Sequence, residues 1–237
     1  MVRGEKIIVA IDVNNIAELE KLVDKLRSVV KIFKIGSELF TSCGVSAIEV
    51  VRRKGGKVFL DLKFHDIPNT VAKASRAITR QGIHMFTVHT IGGLDMMKQA
   101  VEASRDEASR LNTPHPLVLG VTVLTSLSAK DMPSIGIDGT LSDEVVRLAK
   151  LAEKAGLSGV IASPQELPVL RKNLKKDFLI VTPGVRPLWS QKNDQERIAT
   201  PKEAVENGAD YLVIGRPITA QEDPKAAAEK IINEISA

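Results

Sequence analysis

Cysteine is almost absent from this sequence, where Cys43 stands alone among 237 residues. A lone thiol forms no intramolecular disulfide and cannot by itself build a thiolate metal site, which fits a reducing compartment. Aromatic residues are scarce too, at 3%, and the basic residues are mixed with acids rather than gathered in a stripe. Nucleic-acid binders need a positive surface with stacking aromatics, so no nucleic-acid partner is expected. No run approaches the roughly 18 uninterrupted apolar residues of a membrane span. The charged start Met1-Val2-Arg3-Gly4-Glu5-Lys6 leads into an apolar run without a leader-cleavage pattern. A soluble, unprocessed, cytoplasmic protein with no membrane partner is therefore expected. The four histidines, His65, His84, His89 and His115, lack zincin spacing, and no cofactor motif occurs, so neither metal nor cofactor is expected.

What the chain does have is 43% hydrophobic residues in a length that suits one α/β barrel rather than two ordinary domains. Short β-branched runs alternate with segments of helical period, as in βαβ units around a parallel sheet. The predicted strands are Lys6 to Asp12, Lys31 to Gly36, Val58 to Phe64, Met85 to Thr90, Leu117 to Thr125, Gly159 to Ser163, Phe178 to Thr182 and Tyr211 to Gly215. Between them, patterns such as Ile16-Leu19-Leu22-Val23-Leu26 put apolar residues on one helix face. Gly55-Gly56, Gly82, Gly156 and Gly208 read as helix ends, and Ser142-Asp143, Pro164 and Asp223-Pro224 as helix starts. Periodicity alone leaves a doubly wound sheet or a two-domain chain open. Eight regular units favour closure into a single (β/α)₈ TIM barrel spanning residues 1–237.

Polar residues collect at the C-terminal ends of these strands, which share one mouth in a barrel: Asp12, Lys34, Asp61 with Lys63, His89, Thr125, and the segments around Arg186 and Arg216. In Asp61-Leu62-Lys63 the period of two points both charges to the same side, inward if the leucines pack outward against helices. With Asp66 three residues on and Lys34 ending the neighbouring strand, four ionisable groups of mixed sign are expected to converge. For any one of them a structural ion pair, or for Asp66 a helix-start turn, competes evenly with a functional role. For all four together it does not, because stability gives little reason to build such an array. Asp12 has its own plain reading, as help for a cap on the helix entered through Asn14 and Asn15. His89 reads as a satisfied structural histidine.

The segment Asp61-Leu62-Lys63-Phe64-His65-Asp66-Ile67-Pro68-Asn69-Thr70 resembles the signature decapeptide of the orotidine 5′-monophosphate decarboxylases. Ala10-Ile11-Asp12, Phe33-Lys34-Ile35-Gly36, Val121-Thr122-Val123-Leu124-Thr125-Ser126, Pro183-Gly184-Val185-Arg186-Pro187, Asp194-Gln195 and Ile214-Gly215-Arg216-Pro217-Ile218-Thr219 resemble further motifs of that family in the same order. The resemblance implies a cofactor-free lyase, with Lys63 as general acid and Asp61 beside the departing carboxylate. It also implies Lys34 within the charged array and Asp12 on the ribose hydroxyls. By the same resemblance Asp66 and Thr70 reach the site of a partner subunit, so a homodimer with shared active sites is implied.

Thr125 corresponds to the family's pyrimidine-recognising residue, and Gln195 to the glutamine that spans base and phosphate. Barrels often bind phosphate after strands seven and eight, where Gly184 and Arg186, and Gly215 and Arg216, fall. Residues 186–198, with Trp189, read as a lid or a plain surface loop. Two rivals stand beside this reading. Metal-dependent sugar-phosphate decarboxylases and aldolases share an Asp-x-Lys-x-x-Asp pattern but carry an acidic metal ligand in place of Lys34. A noncatalytic nucleotide-binding module would have no use for Asp61, Lys63 and Asp66.

Overall fold

Strands that are apolar on both faces must be covered on both, and here eight of them achieve this by closing on themselves inside a ring of helices. The computed structural model describes residues 3–190 and 199–236. Strands β1 (Ile7–Ile11), β2 (Ile32–Gly36), β3 (Lys57–Phe64), β4 (Met85–His89), β5 (Leu117–Val121), β6 (Gly159–Ile161), β7 (Leu179–Thr182) and β8 (Tyr211–Ile214) pair in chain order. β1 also pairs in parallel with β8, Ile8 beside Val213, which closes the barrel and removes the open-sheet alternative.

The connections carry α1 (Ile16–Leu26), α2 (Ser37–Cys43), α3 (Val45–Arg53), α4 (Pro68–Arg80), α5 (Leu94–Arg110), α6 (Leu141–Lys154), α7 (Leu167–Asn173), α8 (Pro201–Glu206), α9 (Arg216–Thr219) and α10 (Pro224–Glu234). Asn15 caps α1 by accepting the Glu18 N–H, and Asp223 caps α10 by accepting from Lys225 and Ala226. Ser142 and Asp143 do not start α6. Thr140 does, because its side chain accepts the Asp143 N–H.

Two cores result. Inside the barrel, Ile8, Ala10, Ile32, Phe59, Met85, Leu119, Val181, Tyr211 and Val213 pack together. The alternate strand residues, such as Val9, Phe33, Leu60 and Val88, face the helices and pack with side chains such as Leu19, Val23 and Leu148. Each large side chain buried this way contributes about 1.5–3 kcal/mol relative to exposure. Gly159 lies opposite Leu179, and a Cβ there would stand 2.3 Å from the Leu179 carbonyl oxygen, so only glycine lets these strands approach.

Strand bounds differ from the sequence reading chiefly in the second half. β5 stops at Val121 rather than Thr125, and β6 at Ile161 rather than Ser163. The Thr122 hydroxyl donates to the Ile161 carbonyl at 3.1 Å, and Val123 remains buried in the loop. An apolar run reads alike whether it belongs to the sheet or is packed beside it.

Candidate active site

At the C-terminal end of the barrel the inward row changes from apolar to polar. Ala10 is followed by Asp12, Ile32 by Lys34, Phe59 by Asp61 and Lys63, and Met85 by Thr87 and His89. Lys63 Nζ donates to Asp61 Oδ2 at 3.0 Å. Lys34 Nζ approaches the same oxygen at 3.6 Å and Asp12 Oδ1 at 3.8 Å. The Lys34 and Asp61 side chains are each only 14% exposed, so each needs the other's charge nearby. Gly36 makes room for this contact, because a Cβ there would stand 3.1 Å from Lys34 Nζ.

Asp12 is not the cap of α1, since Asn15 performs that task, and Asp12 lines the cavity instead. Asp61 and Lys63 share one side as expected, though not through a regular strand. The β3–β4 register shifts between Leu60 and Phe64, and Lys63 has φ +51°. A left-handed residue of this kind costs about 1–2 kcal/mol, so its surroundings must hold it.

Thr87, which the sequence reading passed over, does the holding. Its fully buried hydroxyl donates to Asp61 Oδ1 at 2.9 Å and accepts the Lys63 backbone N–H at 2.9 Å. The only sequence signal was a threonine in the inward row Met85, Thr87, His89. That signal is faint, because threonine is an ordinary strand former.

Asp66 does not join the cluster of its own chain, and this corrects the expected convergence of four groups. It is exposed, past the end of β3, and its Oδ1 accepts the Ile67 N–H at 2.6 Å. Nor does it cap α4, whose N-cap residue is Ile67 and which has no side-chain cap. The fourth charge of the cluster is Asp12. Thr70 is likewise exposed in the first turn of α4, and neither it nor Asp66 lines the cavity.

The cavity encloses about 260 Å³. Phe59, Val121, Ile161 and Val213 give it an apolar surface, and Thr125 lines it from the loop after β5. The remaining wall is made by Pro183, Gly184 and Arg186 after β7 and by Gly215 and Arg216 after β8. Arg186 is only 7% exposed, which argues against an ordinary surface arginine. Gly184 has φ +77°, a turn that glycine adopts without strain.

Among the described residues, two carboxylates, Asp12 and Asp61, thus share the lining with four cations, Lys34, Lys63, Arg186 and Arg216. This surplus suits an anionic ligand. Gln195 and most of the segment read as a lid lie outside the described residues. Trp189 is described, and the Lys230 ammonium stands 4.6 Å from its ring centroid.

His89 departs from the satisfied histidine expected, because its buried Nδ1 has no partner among the described residues. Burial, and then the neighbouring His65 and Lys63, push its imidazole below the ordinary 6.5. Among the described residues no three His, Cys, Asp or Glu side chains cluster so as to hold a metal ion, and no helix is long and apolar enough to cross a membrane.

Residues 5–231 match the model of the orotidine 5′-phosphate decarboxylase/HUMPS family. The orotidine 5′-phosphate decarboxylase of Syntrophotalea carbinolica is 50% identical over 233 residues, covering 98% of this chain and 96% of that protein. That of Moorella thermoacetica is 52% identical over 232 residues, covering 98% and 92%. Among solved structures, orotidine 5′-phosphate decarboxylase from Lactobacillus acidophilus superimposes with a TM-score of 0.86 at 40% identity, covering 98% of this chain and 100% of the other.

Proposed function

The chain belongs to the orotidine 5′-phosphate decarboxylase/HUMPS family, and from that premise we propose that it converts orotidine 5′-monophosphate to uridine 5′-monophosphate and carbon dioxide, the last step of de novo UMP synthesis. One observation carries this reading. The Lys63–Asp61 pair faces a cavity whose other wall holds Arg186 and Arg216, with apolar surface also in the lining. A ligand with a phosphate at one end, a planar base, and a reacting carbon at the other end matches that distribution of charge.

Loss of carbon dioxide from carbon six leaves a carbanion that the pyrimidine ring cannot delocalise. The Lys63 ammonium beside that carbon stabilises the developing charge and then delivers its proton there. Asp61 holds the ammonium before the reaction starts, so little reorganisation is needed as charge develops. Lys34 offsets the Asp61 charge at the same oxygen, Oδ2. Arg186 and Arg216, with the backbone at Gly184 and Gly215, take the phosphate, and Asp12 the ribose. Thr125 and Gln195 recognise the base. Binding energy at the phosphate then helps position a reacting centre that it does not touch.

In this reading no cofactor takes part, and the enzyme acts in the cytoplasm as a homodimer in which Asp66 and Thr70 serve the partner's site. The metal-dependent alternative is disfavoured by electrostatics. Two ammonium groups already lie 3.0 and 3.6 Å from Asp61 Oδ2, where a divalent ion would be repelled. The deciding assay follows loss of the orotate chromophore from orotidine 5′-monophosphate with and without a chelator. Rapid turnover that ignores the chelator is expected, and turnover that needs added magnesium would overturn the reading.

A further inference from the structure

We infer that Thr87 is a positioning residue for this reaction, joining the conformation of the Lys63 backbone to the orientation of the Asp61 carboxylate. The inference rests on the decarboxylase reading above for its kinetic test, though its geometric content stands apart.

A threonine hydroxyl has one proton to give and lone pairs to accept with. At Thr87 the proton goes to Asp61 Oδ1, and the oxygen receives the Lys63 N–H. The other carboxylate oxygen, Oδ2, is left for the ammonium groups of Lys63 and Lys34. The two oxygens of Asp61 therefore have separate tasks. Rotation of that carboxylate would break the Thr87 bond and move Oδ2 away from Lys63. The same hydroxyl anchors the backbone where β3 loses its regular register with β4 and Lys63 takes φ +51°. Thr87 is fully buried and does not line the cavity, so it acts through its neighbours rather than on the substrate. The shape of this site thus depends on one β4 hydroxyl that holds two residues of β3 at once, one by its backbone and one by its carboxylate.

Thr87→Val keeps the shape and removes both hydrogen bonds, whereas Thr87→Ser keeps the hydroxyl and removes only a methyl group. With orotidine 5′-monophosphate, the valine variant is expected to lose about 10- to 100-fold in kcat while KM stays within about threefold. The serine variant is expected within about threefold of the parent. Crystal structures of both give a reading independent of turnover: Lys63 Nζ to Asp61 Oδ2 opens beyond about 4 Å with valine and stays closed with serine. A valine variant that keeps both kcat and the short contact overturns the inference, as does a serine variant that fails to restore them. If the parent protein itself does not turn over this substrate, the decarboxylase reading falls, and the two crystal structures still decide the role of Thr87.

Discussion

Lys63 Nζ lies 3.0 Å from Oδ2 of Asp61, a residue two positions back on the same strand. An ammonium so held is ready both to stabilise negative charge and to give up a proton. Lys63→Ala is therefore expected to lower kcat by at least about 10³-fold. Binding of uridine 5′-monophosphate, measured by calorimetry, should persist, because the arginine loops are untouched. A variant turning over within tenfold of the parent would remove Lys63 from its proposed role.

Gly36 offers a milder perturbation of the same array. An added Cβ would press on Lys34 Nζ from 3.1 Å, and the flexible lysine gives way more readily than the barrel. Gly36→Ala should lower kcat about tenfold and leave the unfolding temperature within a few degrees of the parent. Unchanged kinetics would show that the position of Lys34 matters little.

Asp66 and Thr70 are exposed beyond the rim of their own barrel, which fits service to a second subunit. If so, Asp66→Ala and Lys63→Ala are each inactive alone, but co-refolded mixtures regain activity. A mixed dimer then holds one site with both residues intact, so about a quarter of all sites recover in an equal mixture. Sedimentation should report a dimer. Absence of recovery in a mixture proven to exchange subunits would argue for a site complete within one chain.

Far from the cavity, Glu107 on α5 is buried between Arg110 of the same helix and Arg80 of α4. Hydrogen bonds from Arg110 and then Arg80 hold its carboxyl down to about 2, against an ordinary 4.5. A folded-state value below the unfolded one means that the stabilisation is complete above 4.5 and fades as pH falls toward 2. Glu107→Gln should lower the unfolding temperature at pH 7 and have progressively less effect on acidification through that window. A difference between variant and parent that does not vary with pH would contradict this.

Much of the architecture was legible from local pattern. Eight apolar runs separated by helical periods implied parallel βαβ units, because strand and helix each sort their apolar residues by a period set by their own backbone. Asp61 and Lys63 declared themselves as charges on the inward face of one strand, while the role proposed for Asp66 in a partner's site came from resemblance rather than spacing. The limits were also physical. The apolar run from Leu117 to Thr125 could not show where β5 stopped, since burial preserves the same residue types in sheet and adjoining loop.

Composition and periodicity along the chain were enough to specify a parallel α/β protein and to aim charged side chains at one end of it. Closure, which eight regular units favoured over an open sheet, was settled by the pairing of β1 with β8. The left-handed turn at Lys63, the entry of Asp12 into the charged group and the two hydrogen bonds of Thr87 were decided by the folded barrel alone. Periodicity is a property of near neighbours, whereas these features depend on which residue of a distant strand arrives opposite, and a local shift in register can change that partner.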